Sequence, residues 1–268
     1  MKTLKIITDF LIWPFTTVFQ LIKRTLSTVL FFFSAWYSII VFSVFNRVSI
    51  VGRKNIPRTT KVLYVANHET FIDSFLIGLA IMNIQDFIFN YRRIPWNAAA
   101  SEFFFNNSLK KFLFSLLKCR PTIRKTTSRS SLEKSVKEMA AILTKENLVL
   151  FFEGGRTRTG EINDCKPGVP LIIRLADPIV IPIFLDGVEP ILPVDVGFKL
   201  FNIKRGHRVG VIIGKPIDFS DIPKLSFDGN SAIHSKGPLP KEIYDKTAID
   251  IIKRRVEEAV KSLDPKRK

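Results

Sequence analysis

Cysteine is scarce in this chain of 268 residues, which contains only Cys119 and Cys165. Two cysteines cannot form the framework of a small disulfide-stapled protein, and the 13 glycines follow no repeat, which excludes a collagen-like chain. A pair of cysteines so far apart in a chain of this size is typical of a reducing compartment.

Acidic residues are also few, with 24 Asp and Glu against 41 Lys and Arg, and the formal net charge is +17. This charge suits polyanionic partners, namely nucleic acid, anionic lipid or phosphorylated substrates, and composition alone does not choose among them. The apolar fraction of 46% excludes a mainly disordered chain. The length predicts one α/β domain with an appendage, or two small domains.

Charged residues are absent from residues 25–45. As a helix this segment would be about 32 Å long, close to the ~30 Å hydrocarbon core of a bilayer. Lys23 and Arg24 separate it from a second apolar stretch at 10–22, which Pro14 interrupts. We expect the two stretches to form a hairpin in one leaflet; a single span and a buried core helix are the alternatives. A cleaved signal peptide is not expected, because the apolar region is too long.

Strands and helices are predicted to alternate after this segment. Strand patterns cover residues 62–66, 148–152, 179–184 and 209–213, and helical patterns cover 73–82, a segment beginning with a capping box at 130–133, and 241–263. Pro182 indicates that the third strand is irregular or lies near an edge of the sheet. Residues 218–240 are predicted to be a long loop. We therefore expect residues 1–47 to be membrane-associated helix and residues 48–268 to form an α/β domain with a mostly parallel sheet.

His68 directly follows the first predicted strand, and Asp73 lies five residues later, where a helix is predicted to begin. Functional groups gather at the carboxyl ends of strands in open parallel sheets. A neutral imidazole can accept a proton through one nitrogen while a carboxylate fixes its tautomer through the other. His207 and His234 have no comparable neighbours and are predicted to be surface residues.

A second group of functional side chains follows another predicted strand, in Phe152-Glu-Gly-Gly-Arg-Thr-Arg-Thr-Gly160. Gly154 and Gly155 allow backbone N–H groups to approach a ligand, and Arg156 and Arg158 offer forked donors to a phosphate. The alternative is a solvated basic turn. The basic stretch from 109 to 137 would face an anionic membrane, and the alternative is that Arg124 and Arg120 reach a phosphate.

Several other chemistries are excluded by residue spacing. His68-Glu69 begins like a zinc-protease motif, but Ile72 occupies the position of the second histidine ligand. The segment 210–216 has three residues between its glycines, and Pro216 replaces the hydroxyl residue that a P-loop requires. A G-x-S-x-G nucleophile elbow is absent from the sequence.

Taken together, Asn67-His-Glu-Thr-Phe-Ile-Asp73 and Phe152-Glu-Gly-Gly-Arg-Thr157 resemble the N-H-x-[ST]-x-x-D and F-P-E-G-T-R-S blocks of the lysophosphatidic acid acyltransferase (PlsC-like glycerolipid acyltransferase) family. Weaker matches follow in the family's order at Thr122-Ile-Arg124, Lys166-Pro-Gly168 and Val180-Ile-Pro-Ile183. The resemblance covers residues 48–215. Phe152, Gly155 and Thr157 depart from the usual Pro, Thr and Ser.

The resemblance implies a glycerolipid acyltransferase fold, an α/β domain with a mostly parallel sheet flanked by helices. It implies that His68 is the general base and Asp73 its orienter, with neither a cofactor nor a metal. Acyl-CoA or acyl carrier protein would be the thioester co-substrate. The substrate-binding residues that it implies are Arg124, Glu153, Gly154, Gly155, Arg156 and Lys166.

The implied activity is O-acyl transfer to 1-acylglycerol 3-phosphate, which yields phosphatidic acid. The enzyme would work at an anionic membrane surface with its active site on the cytoplasmic face, and nucleic acid is not an expected partner. One alternative is another acceptor, such as glycerol 3-phosphate, a different lysophospholipid or a lyso-aminolipid. The alternative of another class is a non-catalytic basic protein that binds anionic lipid or nucleic acid.

Overall fold

Seven strands form one sheet in the computed structural model, which describes residues 2–83, 85–86, 89–122, 128–157, 161–193 and 202–267. The strands are β1 Arg47–Val51, β2 Val62–Ala66, β3 Trp96–Ala100, β4 Cys119–Thr122, β5 Leu148–Phe151, β6 Ile179–Asp186 and β7 Arg208–Ile213. The helices are α1 Lys2–Ile39, α2 Asp73–Ile81, α3 Ser101–Phe104, α4 Ser108–Leu116, α5 Arg129–Leu143, α6 Gly168–Ala176, α7 Gly229–His234 and α8 Lys246–Lys261. A π-helical turn, Ile40–Val44, follows α1.

The strand order is β1-β7-β6-β2-β5-β3-β4, and every pair is parallel except β6 with β7. The expected mostly parallel sheet is confirmed. Strand β2 lies near the centre between β6 and β5, and all five of its residues are buried. Ala66 at the end of β2 pairs with Phe151 at the end of β5, so the two segments that follow these strands leave the sheet side by side.

Alternate residues of β2 supply two hydrophobic cores, one on each face of the sheet. Leu63 and Val65 pack with residues of α5, α6 and α8, whereas Tyr64 and Ala66 pack with α2 and with the π-helical turn after α1. Both sides of the central strands are therefore covered by helices, as expected for an α/β domain. The functional groups lie at the edge of the sheet where these strands end.

The N-terminal segment is one continuous helix, so the expected hairpin turn at Lys23-Arg24 is wrong. Thr25 Oγ1 donates to the Leu21 carbonyl and Thr28 Oγ1 to the Arg24 carbonyl, both at 3.0 Å, which is helical bonding across that junction. Lys and Arg are good helix formers, and the segment contains no glycine that would end the helix there.

Helix α1 packs only one side against the α/β domain. Ser27 and Phe31 are buried, whereas Phe33 and Trp36 are 67% and 68% exposed. Residues Thr17–Val44 are long and apolar enough to cross a membrane. A helix that leaves so much apolar surface uncovered is suited to membrane association.

Strand β6 lies inside the sheet between β7 and β2, which contradicts the edge position expected from Pro182. The Pro182 carbonyl accepts a hydrogen bond of 2.9 Å from the Gly214 amide, just beyond the last residue of β7. The missing N–H of Pro182 faces that side, where the β6–β7 pairing ends at Ile183 and Ile213. An interior strand tolerates a proline here because a neighbouring strand has stopped.

Three helix boundaries also differ from expectation. Helix α5 begins after Ser128 and not through the expected capping box, because Glu133 instead bonds Arg129 and the Tyr244 hydroxyl. The expected loop at 218–240 contains the short helix α7, which the Asp228 side chain caps. The expected helix at 241–263 divides at Asp245, whose carboxylate caps α8.

Candidate active site

The two groups of residues that the sequence singled out lie together at the carboxyl ends of β2 and β5. The Thr157 amide donates to the His68 carbonyl at 2.8 Å. In the opposite direction, the His68 amide donates to Glu153 Oε1 at 2.9 Å. Because adjacent parallel strands end at the same edge, two segments 85 residues apart form one site.

His68 and Asp73 form a direct pair. His68 Nδ1 lies 2.9 Å from Asp73 Oδ2, and the two residues are 6% and 0% exposed. Asp73 is the first residue of α2, so the turn from β2 into this helix brings its carboxylate back beneath the imidazole. Engagement of Nδ1 leaves Nε2 as the ring nitrogen available to a substrate.

Three further hydrogen bonds hold the Asp73 carboxylate. The backbone amides of Glu69 and Thr70 donate to Oδ2 at 2.6 and 2.9 Å, and the Thr70 hydroxyl donates to Oδ1 at 2.8 Å. Donors of this kind favour the charged carboxylate and fix its orientation. A fixed carboxylate in turn fixes the imidazole.

Phe151, the last residue of β5, forms one wall beside the histidine. Its ring is stacked on the His68 ring with centroids 3.9 Å apart and an interplanar angle of 12°. The Asp73 bond and this stacking together restrict rotation of the imidazole about both of its side-chain torsions. The ring is therefore preorganised for proton transfer.

Glu153 is buried and braces the backbone of the site. One carboxylate oxygen accepts from the His68 amide, and the other accepts from the Asn163 amide at 2.9 Å and from Asn163 Nδ2 at 2.7 Å. Burial raises the pKa of Glu153, and the hydrogen bonds from Asn163 and His68 oppose that shift. Its contacts among the described residues connect three separate segments of chain.

The turn after Glu153 contains two glycines with different surroundings. Gly154 has φ +67°, and a Cβ placed on it would lie 2.8 Å from Lys166 Cγ. A Cβ on Gly155 would meet no atom within 4 Å. Only the first position therefore requires glycine for the fold.

We expect Gly154→Ala to destabilise the protein by about 1–3 kcal/mol, because alanine is strained at positive φ and would contact Lys166. Gly155→Ala is the matched control, one residue along the same turn, and should leave the melting temperature unchanged. Thermal unfolding followed by circular dichroism checks both. Equal melting temperatures for the two variants would contradict this account of the turn.

Basic side chains lie beside the His68 site. The Arg156 guanidinium carbon is 3.7 Å from the centroid of the Phe71 ring, three residues after His68. Lys166 is exposed, and its amide donates to the Phe152 carbonyl at 2.9 Å, which holds it against the same turn. Arg124 and Arg158 lie outside the described residues.

An apolar cavity of about 310 Å³, with His68 in its lining, lies between the sheet and the helices α1, α2 and α4. Its floor is the face of the sheet that carries Phe151, Val149 and Asn97. The residues that complete its walls are mainly apolar and include Phe31, Phe32, Phe71, Phe75, Leu79, Met82, Phe104, Phe114 and Leu117. A chain of methylene groups would find few polar partners here.

Both cysteines and Glu69 also have raised pKa values. Burial raises the pKa of Cys119, which lines the cavity, and of Cys165 to about 12, so both thiols remain protonated near neutral pH. Burial, and then the charge of Asp73, raise the pKa of Glu69 to about 7. In the described ranges, no three His, Cys, Asp or Glu side chains cluster closely enough to hold a metal ion.

A family model described as Acyltransferase matches residues 47–186, which is more than half of the chain. This chain belongs to the acyltransferase family. It is 27% identical over 222 residues to the chloroplastic 1-acyl-sn-glycerol-3-phosphate acyltransferase LPAT1 of Arabidopsis thaliana, with 82% of this chain and 56% of the relative covered. It is 27% identical over 206 residues to the chloroplastic 1-acyl-sn-glycerol-3-phosphate acyltransferase BAT2 of Brassica napus, with coverage of 76% and 54%.

The chain therefore spans little more than half the length of these two curated relatives. Among solved structures, the 1-acyl-sn-glycerophosphate (LPA) acyltransferase PlsC of Thermotoga maritima superimposes with a TM-score of 0.54. The alignment covers 96% of this chain and 94% of that one at 19% sequence identity. This likeness confirms the expected fold.

Sequence reasoning about this acyltransferase missed several residues that shape the site. Thr70 holds the Asp73 carboxylate, Phe151 stacks on the His68 ring, and Asn163 donates hydrogen bonds to Glu153. The hydroxyl position in the N-H-x-[ST]-x-x-D block was the available signal for Thr70. Asn163 lies ten residues after Glu153 in irregular chain, and its sequence context contains no comparable signal.

Proposed function

We propose that this protein transfers a fatty acyl group from a thioester donor, acyl-CoA or acyl carrier protein, to the free hydroxyl of 1-acylglycerol 3-phosphate. The product is phosphatidic acid. The observation that carries the proposal is the His68–Asp73 pair in the lining of an apolar cavity, with the Arg156 guanidinium on Phe71, another lining residue. The activity in the names of the two plant relatives supports the choice of acceptor.

His68 Nε2 takes the proton from the acceptor hydroxyl as that oxygen attacks the thioester carbonyl. The C–S bond then breaks, and the departing sulfur receives the proton from the imidazolium. Asp73 stabilises the imidazolium between these steps. A hydrogen-bond donor that faces the tetrahedral oxyanion contributes about 2.7–4 kcal/mol in other acyl-transfer enzymes, and basic or backbone N–H groups near His68 would supply it here.

The apolar cavity would hold an acyl chain. Its volume of about 310 Å³ is within the range of small-molecule sites, and its lining includes His68, beside which the reacting carbonyl must lie. Each methylene buried there contributes about 0.8 kcal/mol. With its apolar chain in the cavity and its charged head outside, the substrate would be held in one orientation relative to His68.

The phosphate of the acceptor would bind to the basic groups around the Gly154-Gly155 turn. We assign this role to Arg156 and Lys166, to the backbone of the two glycines, and to Arg124. Glu153 would act as a positioning residue, since both of its oxygens accept hydrogen bonds from His68 and Asn163. Arginine suits this task because its planar fork pairs with phosphate through two donors.

Residues 1–47 would hold the enzyme in the membrane, with residues 48–268 as the catalytic domain on the cytoplasmic face. One side of α1 packs on the domain and the other exposes Phe19, Phe33 and Trp36. This arrangement favours a helix lying in one leaflet over a perpendicular span, because a span would remove α1 from the domain. The net charge of +17 suits an anionic membrane surface.

The second candidate function is acyl transfer to another acceptor, and Gly155 is the residue that favours it. The family block that this turn resembles has threonine there, so this chain lacks one hydroxyl near the expected phosphate. Glycerol 3-phosphate, another lysophospholipid or a lyso-aminolipid would then replace 1-acylglycerol 3-phosphate. The reaction at His68 would be the same.

A panel of acceptors tests the proposal. With one labelled acyl-CoA or acyl carrier protein donor, we expect phosphatidic acid from 1-acylglycerol 3-phosphate, detected by product mass and by thiol release. Preference for another lyso-acceptor would overturn the acceptor assignment and retain the reaction. Absence of product from every acceptor with both donors would overturn the enzymatic proposal.

A further inference from the structure

Helix α4 carries an apolar stripe that its own fold leaves uncovered. Leu109, Phe112, Leu113 and Leu116 have the i, i+3, i+4, i+7 spacing of one helical face. The first three are 68%, 46% and 39% exposed, whereas Leu116 is buried. We call Leu109, Phe112 and Leu113 the outer face of α4.

Helix α4 packs beside α1. The Ser27 hydroxyl of α1 donates to the Leu116 carbonyl at the end of α4 and lies 2.6 Å from the Tyr91 hydroxyl. Leu26 and Val29, on either side of Ser27, are exposed, and so is Phe89, two residues before Tyr91. Both helices, and the segment before Tyr91, therefore expose apolar residues.

The charged residues of α4 itself are of one sign. Lys110 and Lys111 lie within the helix, and the sequence contains no Asp or Glu between Glu102 and Glu133. A short amphipathic helix with lysines beside an apolar face is the pattern of helices that lie at an anionic lipid surface. The charge would repel a basic protein, including a second copy of this chain at +17.

Helix α4 is also a wall of the cavity that His68 lines. Phe114, within the helix, and Leu117, at its C-terminal end, line the cavity, whereas the three outer-face residues do not. One helix thus separates the cavity from the exposed apolar surface. Whatever binds the outer face also holds a cavity wall in place.

We propose that α4 is a second bilayer-binding element, which inserts Leu109, Phe112 and Leu113 into an anionic lipid layer beside α1. Lys110 and Lys111 then contact lipid phosphates. Bilayer docking at α4 sets the wall of the cavity against the layer from which lipid substrates enter. This inference rests on the proposed function for its account of substrate entry, and on the α4 surface alone for membrane binding.

The test compares full-length variants in vesicle co-sedimentation. The variant L109S/F112S/L113S is expected to bind vesicles of phosphatidylcholine and phosphatidylglycerol about tenfold more weakly, because three partly exposed apolar side chains no longer enter the lipid. The matched control V51S/I179S changes two exposed apolar residues outside α1 and α4 and should bind like the wild type. K110A/K111A should lose the preference for phosphatidylglycerol over pure phosphatidylcholine vesicles.

Circular dichroism confirms that each variant is folded, and a short-chain, monomeric 1-acylglycerol 3-phosphate separates docking from chemistry. The outer-face variant should retain turnover with this soluble acceptor while needing about tenfold more vesicle lipid for half-maximal activity.

Equal vesicle binding by wild type and variant would overturn the inference. A wild-type dimer that the outer-face variant converts to monomer would also overturn it, since a second copy would then cover α4. If the outer-face variant loses vesicle binding and neither it nor the wild type transfers an acyl group, the proposed function is refuted and membrane docking at α4 is supported.

Discussion

Replacing His68 with alanine is expected to reduce acyl transfer by about 10²–10⁴-fold, the usual contribution of a general base. Nε2 is the group proposed to take the hydroxyl proton, and Cys119 cannot replace it as a base because burial raises the pKa of that thiol to about 12. Thiol release from acyl-CoA in the presence of 1-acylglycerol 3-phosphate measures the loss. The dependence on acceptor concentration should change little, because the phosphate contacts are separate from the ring.

The matched control is His234→Ala. This histidine is exposed on α7, where its Nδ1 lies 2.8 Å from the Asn230 carbonyl, and it does not line the cavity. We expect full activity from this variant. Residual turnover of His68→Ala within tenfold of the wild type would contradict the assignment of the base.

The same substitution removes the ring that is stacked on Phe151, so stability must be measured beside activity. An aromatic pair contributes about 0.5–1.5 kcal/mol beyond its buried area, which would lower the melting temperature by a few degrees and leave the protein folded. His68→Phe keeps a ring in that position and cannot accept a proton. A folded and inactive His68→Phe variant would show that chemistry, and not packing, accounts for the loss.

The centre of the fold could be predicted because the chain there carries strong local signals. Val62-Leu-Tyr-Val-Ala66 and Leu148-Val-Leu-Phe151 are uninterrupted apolar runs of strand length, and buried parallel strands have this composition. The sequence also placed His68 and Gly154 at strand ends. These two residues come together because β2 and β5 are neighbouring, paired strands in the sheet.

The far edge of the sheet could not be predicted in the same way. Trp96-Asn-Ala-Ala-Ala100 contains three alanines, and Cys119-Arg-Pro-Thr122 contains a proline and an arginine, so neither has the β-branched composition of a strand. They form strands because tertiary pairing overrides local propensity: β3 pairs with β5, and β4 pairs with β3. For that reason the part of the cavity lined by Asn97 and Cys119 could not be predicted from the sequence.

Long-range contacts account for the other differences. Glu133 had the spacing of a capping residue, yet the Leu239 amide and the Tyr244 hydroxyl, more than 100 residues later, take its carboxylate. The family resemblance implies that Glu153 binds substrate, and its contacts among the described residues hold the backbone of His68. Such partners lie far away in sequence, and only the fold brings them together.

Replacing Asp73 with asparagine should give the second large loss, again about 10²–10⁴-fold in turnover, while the protein remains folded. The amide oxygen can still accept from the Glu69 and Thr70 amides, and its NH₂ group can donate to the Thr70 hydroxyl, so the turn into α2 is retained. The negative charge is lost. The imidazolium formed during transfer then has no carboxylate 2.9 Å away to stabilise it.

Asp86→Asn is the control for removing a buried carboxylate. Asp86 is also buried, and its Oδ1 accepts a 2.7 Å hydrogen bond from Arg93. Loss of that pair should lower the melting temperature and leave turnover within a few fold of the wild type, since Asp86 does not touch His68. The paired measurement is turnover and melting temperature for both variants. Asp73→Asn should lose turnover without a matching loss of melting temperature. If its melting temperature instead falls in parallel with its turnover, the Asp73 carboxylate serves only the fold, and the proposed base–orienter pair is wrong.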